Sequence, residues 1–126
     1  MYLNENAITL IGSAAAVDMD PGAPTVVTTI LTIPPDKTGC IITHVVCRNS
    51  SGNLDTAQFS FGFDANGSDC IADALHAALD GSTKYIVLKT EDGAVRGVAG
   101  GTFKIGVNTA QGAAMTMDVE VFGYYI

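Results

Sequence analysis

The sequence has no tryptophan, only six basic residues, two histidines and three cysteines among its 126 residues. Each shortage excludes something. The six cations (Lys37, Arg48, Lys84, Lys89, Arg96 and Lys104) are scattered singly, against thirteen acids and a net charge of −7. A phosphate backbone is gripped by clustered Lys and Arg that displace counterions, so nucleic acid is not an expected partner. The same negative balance disfavours anionic membranes. No run approaches the ~20 apolar residues of a membrane-spanning helix. With two histidines, no GxSxG turn and no HExxH helix, the usual hydrolytic constellations are missing, and no enzyme is expected. Gly97-Val98-Ala99-Gly100-Gly101 lacks the Lys-Ser/Thr of a phosphate loop and precedes a strand rather than a helix.

An odd number of cysteines without CxxC spacing supports neither a zinc site nor a disulfide framework. Cys40, Cys47 and Cys70 read as buried free thiols, which fits assembly in a reducing compartment. Cys40 and Cys47 are seven positions apart on one strand, a spacing that sends them to opposite faces. The N-terminus, Met-Tyr-Leu-Asn-Glu, shows no basic region followed by an apolar run, so no signal peptide is expected. Asn49-Ser50-Ser51 and Asn66-Gly67-Ser68 are then ordinary turns rather than glycosylation sites.

What is present is apolar and β-forming. Hydrophobic residues make up 48% and charged ones 15%, below the ~25% charge of ordinary domains. So little charge on a small chain points to surface covered by other subunits. The dominant period is two. Phe59, Phe61 and Phe63 alternate with Ser60 and Gly62, and Met115 to Val121 alternates with Thr, Asp and Glu outward. Thr25 to Ile33 is β-branched except at Leu31. Cys40 to Arg48 is apolar on both faces and reads as a central strand covered on both sides. Ala7–Ile11, Tyr85–Thr90 and Thr102–Val107 complete the strands, and Phe122–Ile126 extends the last. Turn-rich segments at 18–24, 34–39, 49–53 and 93–101 separate them. In Asp69–Asp80, Ile71, Leu75, Ala78 and Leu79 fall at helical spacing between Ser68 as cap and Gly81 as stop, which predicts a short helix. The expected architecture is all-β: an antiparallel β-sandwich of about eight strands with one short inserted helix. Residues 1–24 form an N-terminal arm and first strand, and 25–126 the body of one domain.

Asp64, Asn66 and Asp69 set three oxygen-bearing side chains on one tight turn, a candidate Ca²⁺ site. The Gly is in the wrong place for an EF-hand, and Asx-turn and helix-cap roles explain the same residues. No other cofactor is indicated.

Three stretches together resemble the small β-sandwich structural proteins of tailed bacteriophages, of the head-decoration or capsid-auxiliary type. They are Thr25–Ile33 entering Pro34-Pro35-Asp36-Lys37-Thr38-Gly39-Cys40, Phe59-Ser60-Phe61-Gly62-Phe63-Asp64 with its small-residue turn, and the C-terminal Asp118–Ile126. The resemblance implies a jelly-roll-like sandwich and a homo-oligomer, a trimer in such families. It would sit on the capsid surface against the major capsid protein or another virion protein, and be assembled in the host cytoplasm. Such families act through whole surfaces, so no functional residue transfers. The surface candidates are Met1, Tyr2 and Leu3 as an arm reaching a neighbour, with His44, Tyr124 and Tyr125 as subunit contacts. The rival readings are a tail or fibre accessory protein and a lectin-like carbohydrate-binding module. The missing tryptophan weighs against the latter.

Overall fold

The structure is a computed structural model, and it describes residues 7–23, 25–90 and 97–126. Met1, Tyr2 and Leu3 lie outside the described residues. Eight strands follow in chain order: β1 (Thr9–Asp18), β2 (Val26–Thr32), β3 (Cys40–Arg48), β4 (Gln58–Gly62), β5 (Ile71–Leu75), β6 (Tyr85–Lys89), β7 (Thr102–Thr109) and β8 (Thr116–Tyr125). They form two four-stranded sheets, ordered β1-β8-β3-β6 and β2-β7-β4-β5. Every pairing is antiparallel. The pairings nest: β1 with β8, β2 with β7, β3 with β6, β4 with β5. The chain is thus one long double-back whose first and last strands are neighbours.

Both sheets contribute to one hydrophobic core. Val45, Cys47, Met117, Val119 and Val121 enter it from the first sheet, and Phe59, Phe61, Phe103, Ile105 and Val107 from the second. Phe59 and Phe61 meet edge-on at 5.9 Å, and Phe61 stacks on Phe103 at 6.0 Å. Truncating a phenylalanine in such a cluster costs about 3–5 kcal/mol through lost transfer energy and the cavity left behind. Loop residues Met19, Ile33, Leu54 and Leu79 close the margins of the core with no exposure.

Four expectations are corrected. The helix over Asp69–Asp80 does not form. Residues 71–75 are strand β5, paired Phe61↔Ile71 and Phe59↔Ala74, and the described residues contain no helix. An isolated helix of about twelve residues is marginal in water. Here β4 offers a ready edge with backbone partners, and that tertiary pairing outweighs the local periodicity. Ile71 and Leu79 do reach the core, whereas Leu75, required by the helical stripe, is 45% exposed.

Cys40 and Cys47 share a face. A register shift between Ile42 and His44 inserts one extra residue into β3. Cys40, Ile42, Val45 and Cys47 are therefore all buried on one side. A bulge flips the alternation beyond it, which simple counting cannot foresee. The same shift leaves β3 covered on one face, with Thr43, His44 and Val46 half-buried on the other.

β4 departs the other way. Ser60 and Gly62 are as buried as Phe59 and Phe61, because the β4–β5 connection folds back over the outer side of its own sheet.

Candidate functional site

Two places on the molecule concentrate polar chemistry: the folded-back β4–β5 turn and the outer face of the β1-β8-β3-β6 sheet.

The turn contains the three calcium candidates. Asp64 accepts from the Ser68 backbone N–H, the Ser68 hydroxyl (2.8 Å) and the Asp69 N–H (3.3 Å). These bonds, led by that from the Ser68 N–H, hold its carboxyl below the usual range. Asp69 Oδ1 accepts from the Phe63 N–H at 2.7 Å. Both carboxylates thus serve the turn's own backbone. The carbonyls of Phe63 and Asp64 are served by Lys104, whose Nζ donates to them at 3.1 and 3.3 Å and to Thr102 O at 3.1 Å. An ammonium from β7 therefore clasps the backbone carbonyls at the start of the turn. No group of three or more His, Cys, Asp or Glu is placed to hold a metal among the described residues.

Close approach of the turn demands glycine below it. A Cβ at Gly106 would stand 2.2 Å from Asn66 O, and one at Gly62 2.2 Å from Asp69 Oδ1. Ser60 completes the seal by donating to Gly67 O at 2.7 Å while accepting from Asn108 Nδ2 at 3.1 Å.

The outer face of the first sheet reads across its strands by register. One row is Leu10, Phe122, His44, Lys89. The next is Ser13, Glu120, Val46, Val87, and Asp118, Arg48 and Tyr85 follow. His44 lies flat on Phe122, with centroids 4.8 Å apart and planes within 4°. Thr43 Oγ1 donates to Phe122 O at 3.2 Å and lies 2.9 Å from His44 Nδ1. The hydroxyl has one proton to give, so both contacts are satisfied when Nδ1 carries the imidazole proton. Arg48 pairs through Nε with Glu120, and that hydrogen bond and charge raise the guanidinium further. Asp118 accepts from the Ala16 N–H (2.9 Å) and Asn49 Nδ2 (3.0 Å), which holds its carboxyl below the ordinary range. The first of these bonds serves the backbone at Ala16, where φ is +52° in a bulge of β1.

The hollow beside this ion pair, lined by Leu10, Ala14, Arg48 and Asp118 among others, measures about 170 Å³. Another, between Pro21 and Asn108, measures about 250 Å³. Pockets for small molecules run from about 300 Å³ upward. What the face offers is area: Tyr85 is 68% and Val87 48% exposed, with Leu10 at 51%.

The subunit-contact candidates separate. His44 and Tyr124 are half-buried on the outer face. Tyr125 turns inward against the core, and its hydroxyl donates to Ile11 O at 3.2 Å. Burial, then the nearby Cys40, raises that hydroxyl. All three cysteines are buried, and none of them forms a disulfide. Burial pushes the Cys40 thiol up to about 11 and the Cys47 thiol further. A nucleophile needs the thiolate, which these sites disfavour. His76 packs on Phe59 at 4.9 Å with its Nε2 buried and unpartnered, and burial lowers its pKa against the opposing pull of Asp73.

Sequence reasoning did not find Lys104, the Arg48–Glu120 pair or Val87. Arg48 and Glu120 are 72 positions apart and meet only through β3–β8 pairing. The alternation of Tyr85, Val87 and Lys89 was the one visible signal, and it marks a strand without saying which side is open.

No protein-family model matches the chain, and no curated protein matches it. Among solved structures it is similar to a chain of the cyanophage Pam1 capsid asymmetric unit. The superposition has a TM-score of 0.59 at 16% identity and covers 100% of this chain and 89% of that one. At this identity the likeness is one of fold.

Proposed function

We propose that the chain is a non-enzymatic structural protein of a bacteriophage virion, which sits on the capsid surface and stabilises the shell. The observation that carries the reading is the full-length fold likeness to a chain of a phage capsid asymmetric unit. The nested strand order supports it. We read β1-β8-β3-β6 against β2-β7-β4-β5 as a jelly-roll sandwich, an architecture used by capsid domains. Fold alone does not dictate function, because sandwiches also serve lectins. The surface agrees with a role exercised by area. It is low in charge, with apolar side chains exposed on strands of both sheets (Leu10, Tyr85 and Val87 on one, Val26, Val27 and Leu75 on the other), and the two hollows described are small. In this reading the protein acts as a homo-oligomer, a trimer on the family resemblance, assembled in the host cytoplasm. Residues 1–6 act as an arm to the neighbouring virion protein.

The test is co-sedimentation of the purified chain with shells of the major capsid protein encoded alongside it. Binding in a small-integer ratio, with shells that resist heat or chaotrope longer, is the expected result. Deleting residues 1–6 should weaken attachment and spare folding. A chain that stays in the supernatant, yet binds on a glycan array in a chelator-sensitive way, overturns the reading in favour of a lectin.

A further inference from the structure

Each sheet has two edge strands, and three of the four edges are disrupted. β1 carries register shifts at Leu10/Gly12 and Ala14/Val17, β2 one at Thr29/Leu31, and β5 pairs with β4 across a shift at Phe59/Phe61. Bulges twist an edge away and spoil it as a template for further pairing. β6 differs. It pairs with β3 through five consecutive residues without a shift, His44↔Lys89 to Arg48↔Tyr85, and no described strand pairs with its other side. Its outward side chains, Tyr85, Val87 and Lys89, are all exposed, while Ile86 and Leu88 are half-buried against the core.

We propose that the β6 edge is a homodimer contact, in which β6 of one copy pairs antiparallel with β6 of a second about a two-fold axis at Val87. The sequence Tyr85-Ile86-Val87-Leu88-Lys89 is self-complementary in that register. On the outer face Val87 meets its own copy, and each Tyr85 faces the Lys89 of the other chain, an ammonium beside an aromatic ring. On the inner face Ile86 faces Leu88, so the apolar layer runs on across the axis. No like charges stand directly opposite, which cross-strand pairing would penalise. A slip by two residues would leave two end residues of each strand without a partner in the other. The contact is isologous, the commonest symmetry of soluble oligomers. It joins two chains, or two trimers where the three-fold contact also forms, and does not depend on the capsid reading.

The experiment uses cysteine placed on the axis. Opposed residues of an antiparallel pair lie ~4.5–5.5 Å apart at Cα, within the range a disulfide spans. The three native thiols are buried. Under mild oxidation Val87→Cys should give covalent dimers. Tyr85→Cys alone should not, whereas an equal mixture of Tyr85→Cys and Lys89→Cys chains should cross-link. In sedimentation of the full chain, the wild type should dimerise with concentration or run as an even-numbered oligomer. Val87→Lys should lose that association while keeping the circular-dichroism spectrum of the folded chain, and its melting temperature should no longer depend on protein concentration. A wild-type monomer or isolated trimer, absence of the Val87→Cys cross-link, or a Val87→Lys chain that associates as before overturns the proposal. Any of these would mean that β6 does not pair with its own copy.

Discussion

Lys104 shows how a single side chain can decide a local structure. Its ammonium binds three backbone carbonyls while Asp64 and Asp69 bind the turn's N–H groups. Lys104→Met keeps the stem and removes the donor. It should lower stability by about 1–2 kcal/mol, because partly buried carbonyls lose a charged donor. Gly106→Ala should cost about 1–3 kcal/mol by pushing the turn off the sheet. Urea unfolding checks both. Acid should act in two stages. His76 has a lowered folded pKa, so its contribution is present above the unfolded value of about 6.5 and is lost as pH falls towards the folded one. Asp64 and Asp118, also lowered, contribute above about 3.9 and lose that contribution as pH falls through their folded values. Urea midpoints measured against pH should therefore decline first below neutrality and again below about pH 4. His76→Gln should abolish the first decline alone.

At the scale of elements, strand content was legible and strand environment was not. The Phe59–Phe63 and Met117–Val121 alternations identify β4 and β8 because a pleated strand facing one core repeats every two residues. They say nothing of the turn that buries Ser60, nor of the bulge that puts Cys40 and Cys47 side by side. The 69–80 segment misleads because two of its apolar residues, Ile71 and Leu79, are core anchors on either side of an exposed Leu75. Strand β5 makes a prediction that a helix would not share. Ile71→Ala should cost about 2–5 kcal/mol, and Leu75→Ala under about 0.5 kcal/mol. Comparable losses at both positions in chemical denaturation would contradict the strand.

For the molecule as a whole, the nested pairing joins residues far apart in sequence, since β1–β8 contacts close nearly the whole chain. Such a topology exposes its core only on global opening. The three thiols should therefore react with an aromatic disulfide reagent at a rate set by unfolding, accelerating in urea as the protein does. Fast labelling of one thiol in the native state would reveal a local opening. The candidate surface was only partly visible beforehand. His44 and Tyr124 lie on the outer face, Tyr125 is packed inward, and the place of β6 at a sheet edge emerges only after each described strand has its neighbours.

By itself the amino-acid order determined the all-β class, the approximate strand positions, the burial of the cysteines and the poverty of charge. These follow from local periodicity, propensity and composition, which act over a few residues at a time. Only the tertiary structure decided that 71–75 pairs with β4, that β3 shifts its alternation at a bulge, that Lys104 clasps the Asp64 turn, and that β6 is an edge strand paired without a register shift. Each of those depends on which distant segment supplies a backbone hydrogen bond, and that is a property of the folded chain rather than of any stretch of it.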